Sequence, residues 1–165
     1  MKTLISFDQV VARTVLQPNV DAQKVELAIK VVQPMYLKKL LGAALYNELL
    51  LAAQAEPLED EKLAALLNSD ELQNMLAQWV VVQAWPDLLV HLTNAGVVLK
   101  TGKDTSTSAD AKLVESTLAA HTRTADFYTN ELRAWLYEHR ADYPSYQPAG
   151  ARVPAETMPL GGLNQ

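Results

Sequence analysis

Three histidines, His91, His121 and His139, are the side chains best suited to proton transfer or metal binding, and their spacing serves neither. A metal site on helices asks for Glu-x-x-His or His-x-x-x-His, so that two ligands share one helix face. Neither arrangement occurs, and the absence of cysteine removes thiolate ligands and thiol nucleophiles together. His121 sits on an apolar helical seam and is expected to pack there with one nitrogen hydrogen-bonded. His139 falls near a helix C-terminus and reads as an end residue favoured by the macrodipole. The carboxylate groups Glu59-Asp60-Glu61 and Asp70-Glu71 read as helix starts rather than acid–base pairs. No Gly-x-Ser-x-Gly, phosphate-cradling glycine loop or dinucleotide fingerprint is present, and Thr101-Gly102-Lys103 is too short to act as one. The expectation is therefore no catalytic residues, no cofactor and no metal.

The elements that would position any site are helical. Ser6-Phe7-Asp8-Gln9 spells a capping box, with Ile5 and Val10 at the two staple positions, and the helix it opens should stop before Pro18. A second helix starts near Asn19 or Asp21, with Val25, Ile29, Val32, Tyr36 and Leu40 on one face. Pro34 predicts a kink or break within it, and Gly42 a stop or joint. Leu45, Tyr46, Leu49 and Leu50 mark a third, short helix ending near Gln54. A fourth has Pro57 in its first turn and carries Leu63, Leu66 and Leu67.

From the cap at Asn68–Glu71 a helix apolar on nearly all sides, including Trp79 to Val82 and Trp85, is expected to run to Thr93 as the buried centre, bent at Pro86. Val97-Val98-Leu99 reads as a short extended piece. The last helix is expected from Ser108 to His139, about 45 Å long at 1.5 Å per residue. Val114, Leu118, His121, Ala125, Tyr128, Leu132 and Trp135 form its heptad-like seam. The fold class is all-α: a compact helical bundle with long central and C-terminal helices.

Composition changes after Asp142. Residues 143–165 hold four prolines and two charges, Arg152 and Glu156, among the anchors Tyr143, Pro144, Tyr146, Pro148, Val153, Met158, Leu160 and Leu163. The chain thus divides into a helical domain, 1–142, and an extended arm, 143–165. The arm is expected to hold a partner through those eight residues, Tyr143 and Tyr146 foremost. Fully extended it would reach roughly 70 Å.

Bulk composition narrows the classes further. The 165 residues suit one domain, and 49% apolar content supplies a core without disulfides or metal. A net charge of -5, with Lys38-Lys39 the only adjacent basic pair, argues against specific nucleic-acid binding. The most apolar window, Met75–Leu92, is interrupted by Gln78, Gln83, Pro86, Asp87 and His91, so no membrane span is expected. Residues 1–5 are too short an apolar run for a signal peptide.

Several segments together resemble a known family. Ala28-Ile29 to Val32-Gln33-Pro34, then Leu41-Gly42-Ala43-Ala44-Leu45-Tyr46-Asn47-Glu48-Leu49, is similar to a pattern of small helical head–tail connector (adaptor) proteins of tailed phages and prophages, especially of Bacteroidetes hosts. Asn94-Ala95-Gly96-Val97, Ala125-Asp126-Phe127-Tyr128, Trp135-Leu136 and Tyr143-Pro144-Ser145-Tyr146 extend the likeness over most of residues 1–146. It implies a structural subunit of a ring, commonly twelve-fold, at the virion neck and assembled in the host cytoplasm. Its partners would be the portal protein, neighbouring copies of itself and the next neck or tail protein, with DNA passing through the ring. Two other classes stay open: a helical assembly helper or regulatory binding module absent from the virion, and a helical enzyme with a pocket beneath Trp79 and His91.

Overall fold

The computed structural model describes residues 3–55, 60–93, 96–99 and 111–148. The fold is all-α: α1 Phe7–Arg13, α2 Ala22–Val32, a π-helical turn Gln33–Leu37, α3 Lys38–Leu41, α4 Ala43–Ala52, α5 Glu61–Asn68, α6 Asp70–Leu89 and α7 Ala111–Glu138. A two-stranded hairpin, β1 Val90–Thr93 and β2 Gly96–Leu99, lies between the last two helices.

Local chemistry explains the helix starts. Ser6 Oγ accepts from the Gln9 amide at 3.3 Å while Gln9 Oε1 accepts from the Ser6 amide at 2.8 Å, closing the capping box. Ile5 and Val10 are both buried, as the staple requires. Asp21 caps α2 and Asp60 caps α5, each accepting from two backbone amides. Helix α5 thus begins at Glu61, with Pro57 outside the described residues.

Pro34 neither kinks the chain to a stop nor breaks it. Proline lacks an N–H and its ring crowds the carbonyl four residues back, so an α-helical turn cannot pass through it unchanged. Here the turn widens, and the Lys38 amide donates to the Gln33 carbonyl five residues earlier. Helix α2, the π turn and α3 consequently run on without interruption from Ala22 to Leu41.

Helix α6 is the central element. Leu72, Met75, Leu76, Ala77, Trp79, Val80, Val81 and Ala84 are buried around most of its circumference, and Asn74, Gln78, Val82 and Trp85 form a half-buried stripe on the remainder. It contains Pro86 and ends at Leu89, four residues before the expected end. There Val90-His91-Leu92-Thr93 leaves the helix and pairs antiparallel with Gly96-Val97-Val98-Leu99, Val90 opposite Leu99 and Thr93 opposite Gly96. Both segments contain β-branched residues, which a pleated strand accommodates better than a helix weakened by the missing Pro86 amide.

Helices α2 and α7 pack on α6 from two sides, α1 and α5 also contact it, and α4 packs against α3 and α5. The α7 seam faces inward as expected: Ala125, Leu132 and Leu136 are buried, and Val114, Leu118, His121, Tyr128 and Trp135 are half-buried. Two buried glutamines anchor the N-terminal segment. Gln33 Oε1 accepts from the Leu4 amide at 2.6 Å, and Gln73 Nε2 donates to the Leu4 carbonyl at 3.1 Å and the Leu67 carbonyl at 2.7 Å. A backbone group buried without partners is costly, so this pair lets Leu4 and Ile5 enter the core.

Candidate interaction surface

The expected arm does not leave the domain at Asp142. Residues 143–148 form a strap across the ends of α4, α5 and α7. The Tyr146 amide donates to the Tyr143 carbonyl at 3.0 Å, making a turn, and the Gln147 amide donates to the Leu41 carbonyl at 3.3 Å. Ser145 Oγ donates to Glu48 Oε2 at 2.6 Å, and Lys62 pairs with Asp142 at 2.8 Å. That ion pair is exposed and contributes little by itself.

Tyr143 is 4% exposed, its ring near Trp135 and its hydroxyl donating to the Lys62 carbonyl at 2.8 Å. Loss of water around the ring, then the carboxylates of Asp142 and Asp60, hold its hydroxyl above the ordinary tyrosine value. Tyr146 is half-buried against the core and is also held above it, chiefly by desolvation. The two tyrosines expected to reach for a partner therefore anchor the strap to their own domain. The physical reason is the apolar area of each ring together with a carbonyl placed to take the Tyr143 hydroxyl. Pro144 is exposed at the strap's surface, and Pro148 is half-buried. The helical domain accordingly includes the strap and does not stop at Asp142. Val153, Met158, Leu160 and Leu163 lie outside the described residues.

Gly42 is the position the strap depends on. Its φ of 83° and ψ of 162° belong to a region that side-chain-bearing residues rarely adopt. The Gln147 backbone also lies against it: a Cβ there would overlap the Gln147 carbonyl oxygen and sit 2.8 Å from its carbon. The segments Leu41–Leu49 and Tyr143–Gln147, far apart in sequence, are thus one structural unit joined at Gly42, Glu48 and Leu41.

A groove of about 320 Å³ opens beside this unit. Met75 and Trp79 of α6 line it together with Tyr36, Lys39 and Leu40 on one side and Asp126, Thr129 and Arg133 of α7 on the other, with Pro148 completing it. The Tyr36 and Trp79 rings stack at 3.9 Å, and Trp79 Nε1 donates to Thr129 Oγ1 at 2.9 Å. Trp79 therefore fills space and ties α6 to α7. Two histidines are packed against tryptophans: His121 lies 4.8 Å from the Trp85 ring, and His139 stacks on Trp135 at 4.1 Å. His139 Nδ1 is also 2.8 Å from the Trp135 carbonyl. The side chain of His91 lies outside the described residues. Among the described residues, no three His, Asp or Glu side chains gather as a metal site would need. No described helix is long and apolar enough to cross a membrane.

The sequence profile of a family of unknown function, DUF6712, matches residues 37–155, which include α3 to α7 and the whole strap. The chain belongs to the DUF6712 family. No curated protein and no solved structure matches it. Both halves of the Gly42–Gln147 contact lie inside the DUF6712 match, whereas α1 and α2 precede it.

Sequence reading did not single out the outward faces. On α2 and the π turn, Leu27, Val31 and Met35 are 61%, 43% and 56% exposed, repeating every four residues. On α7, Leu113 and Phe127 are 64% and 56% exposed, with Ala120 and Ala134 exposed at the same seven-residue interval. Isolated surface apolar residues are ordinary, but a helical stripe of them is the form a covered surface takes. Periodicity gave the signal for both stripes. It was masked because each helix has a stronger buried stripe beside it.

Proposed function

We propose that the chain is a structural head–tail connector (adaptor) subunit, which assembles as a ring at a phage neck, joins the portal to the tail and lets DNA pass. It performs no catalysis; its work is to present surfaces to neighbouring copies, to the portal and to the next neck protein. The observation that carries the reading is the resemblance through Leu41–Leu49 and Tyr143–Tyr146, two segments that meet at the Ser145–Glu48 hydrogen bond, with Gln147, the next residue, resting on Leu41 and Gly42. Further support comes from the two outward apolar stripes. The net charge of -5 is compatible with a conduit that does not grip phosphates.

Strap residues 143–148 act in this account as the fixed root of the C-terminal segment, and the partner-holding role passes to the residues beyond, with Val153, Met158, Leu160 and Leu163 as apolar anchors. Peptide mass spectrometry on purified particles produced by the encoding genome separates the connector from an assembly helper. The expected result is peptides of this chain at a fixed ratio to those of the portal protein. Recovery in infected-cell lysate with none in the particles would replace the connector by the helper.

A further inference from the structure

We propose that the groove between α6 and α7 is the docking site of the chain's own residues 149–155, which enter it at Pro148. This holds whether or not the chain is a connector. Leu40, Met75 and Trp79 form the buried floor of the groove, and exposed Lys39, Asp126 and Arg133 stand at its rim. Pro148, the last described residue of the strap, is half-buried in its wall.

The course of the chain selects the occupant. The Gln147 amide is held by the Leu41 carbonyl and the Gln147 carbonyl lies against Gly42, so the strap brings Pro148 to the groove in a fixed position. A segment tethered at the groove's edge has an effective concentration in roughly the millimolar range, so a contact too weak to hold a separate peptide is still filled. Pro148 and Pro154 lower the freedom that the segment loses on docking. Ala149-Gly150-Ala151 is small enough to lie close to the floor. Val153, at most about 17 Å along the chain from Pro148, is the first larger apolar side chain to follow and covers Met75 and Trp79.

The extent of the DUF6712 match is an independent sign. The match does not stop with the strap at Pro148 but runs on to residue 155, and every groove residue named above lies within it.

The rim charges are of both signs and do not choose between occupants. A small polar ligand is disfavoured, because the groove offers no buried polar group in need of a partner. Among the described residues such groups belong to Gln33, Tyr46, Gln73 and Trp85, none of which lines it, and the Trp79 N–H is already taken by Thr129. Val153 thereby serves its own domain, as Tyr143 and Tyr146 do, and Met158, Leu160 and Leu163 are left for a partner.

The chain's four methionines, Met1, Met35, Met75 and Met158, make the test direct. Wild type and V153D are prepared as full chains with isotope-labelled methionine methyl groups, and their NMR spectra are compared over a dilution series. Met75, in the groove beside the Trp79 ring, reports its occupancy, and exposed Met35 reports that the fold is kept. The expected result is a Met75 methyl signal displaced by several linewidths in V153D, an unmoved Met35 signal, and a wild-type spectrum that does not change on dilution. A Met75 signal at the same position in V153D and wild type would overturn the proposal. A wild-type Met75 signal that moves to the V153D position on dilution would also overturn it, by giving the groove to the segment of a second copy.

Discussion

Replacing Gly42 by alanine is expected to destabilise the protein by about 3 kcal/mol or more, a large fraction of the stability of a domain this size. Two separate penalties act at one atom. A side chain at φ 83° and ψ 162° costs about 1–3 kcal/mol wherever it occurs. The added Cβ also overlaps the Gln147 carbonyl, which is backbone and can yield only if the strap lifts. A double-mutant cycle separates the two: in a chain ending at Tyr146 the overlap is gone and the backbone penalty stays. Denaturant unfolding of the four proteins should give a coupling of at least about 0.5 kcal/mol between Gly42→Ala and the truncation. Simple additivity would mean that the Gln147 backbone does not rest on Gly42.

The second large effect is at Tyr143. Removing its buried ring in Tyr143→Ala should cost about 3–5 kcal/mol, as for other large aromatics cut back in a core. Tyr143→Phe keeps the ring, loses the hydrogen bond to the Lys62 carbonyl and should cost about 1 kcal/mol. The same pair has a pH signature. Because burial raises the hydroxyl above the ordinary value of 10.0, the folded state keeps its proton to higher pH than the unfolded chain does. The contribution is complete below the unfolded value and is lost as pH rises past it. Wild type should therefore lose stability above pH 10 more steeply than Tyr143→Phe, and parallel curves for the two would show that Tyr143 is not buried as described.

What could be read from the sequence was the part encoded by near neighbours. Ser6 with Gln9, Asp21 before α2 and Gly42 after α3 act within a turn of themselves, so residue type and spacing were enough. The same holds for α6 and the inward seam of α7, whose periodicities are strong. Where competing local signals were close in energy, the reading slipped. Pro34 is compatible with a kink or a break, and the chain instead widens into a π turn closed by the Lys38 amide on the Gln33 carbonyl. Val90–Thr93 follows an apolar helix without a stop signal other than Pro86, and pairing with Gly96–Leu99 decides its conformation.

The interaction surface was harder because its determinants are distant in sequence. Tyr143 and Tyr146 have the composition of partner anchors. That they dock on their own domain depends on the Lys62 and Leu41 carbonyls, about eighty and one hundred residues away in the chain. Gln33 and Gln73 gave no sign that both would be spent on the backbone of Leu4. The strap also changes how the C-terminal segment should be removed. A cut after Asp142 would strip Tyr143 out of the core, so loss of assembly would report unfolding as readily as loss of a contact. A cut after Pro148 keeps the whole strap.

The most direct measurement is the native mass of complexes formed between portal rings encoded in the same genome and either the full chain or a chain ending at Pro148. The account predicts that the full chain adds to the ring in a fixed whole number of copies, and that the shortened chain, folded by circular dichroism, fails to add. Portal rings that keep their own mass beside monomeric full-length chain would contradict the connector assignment.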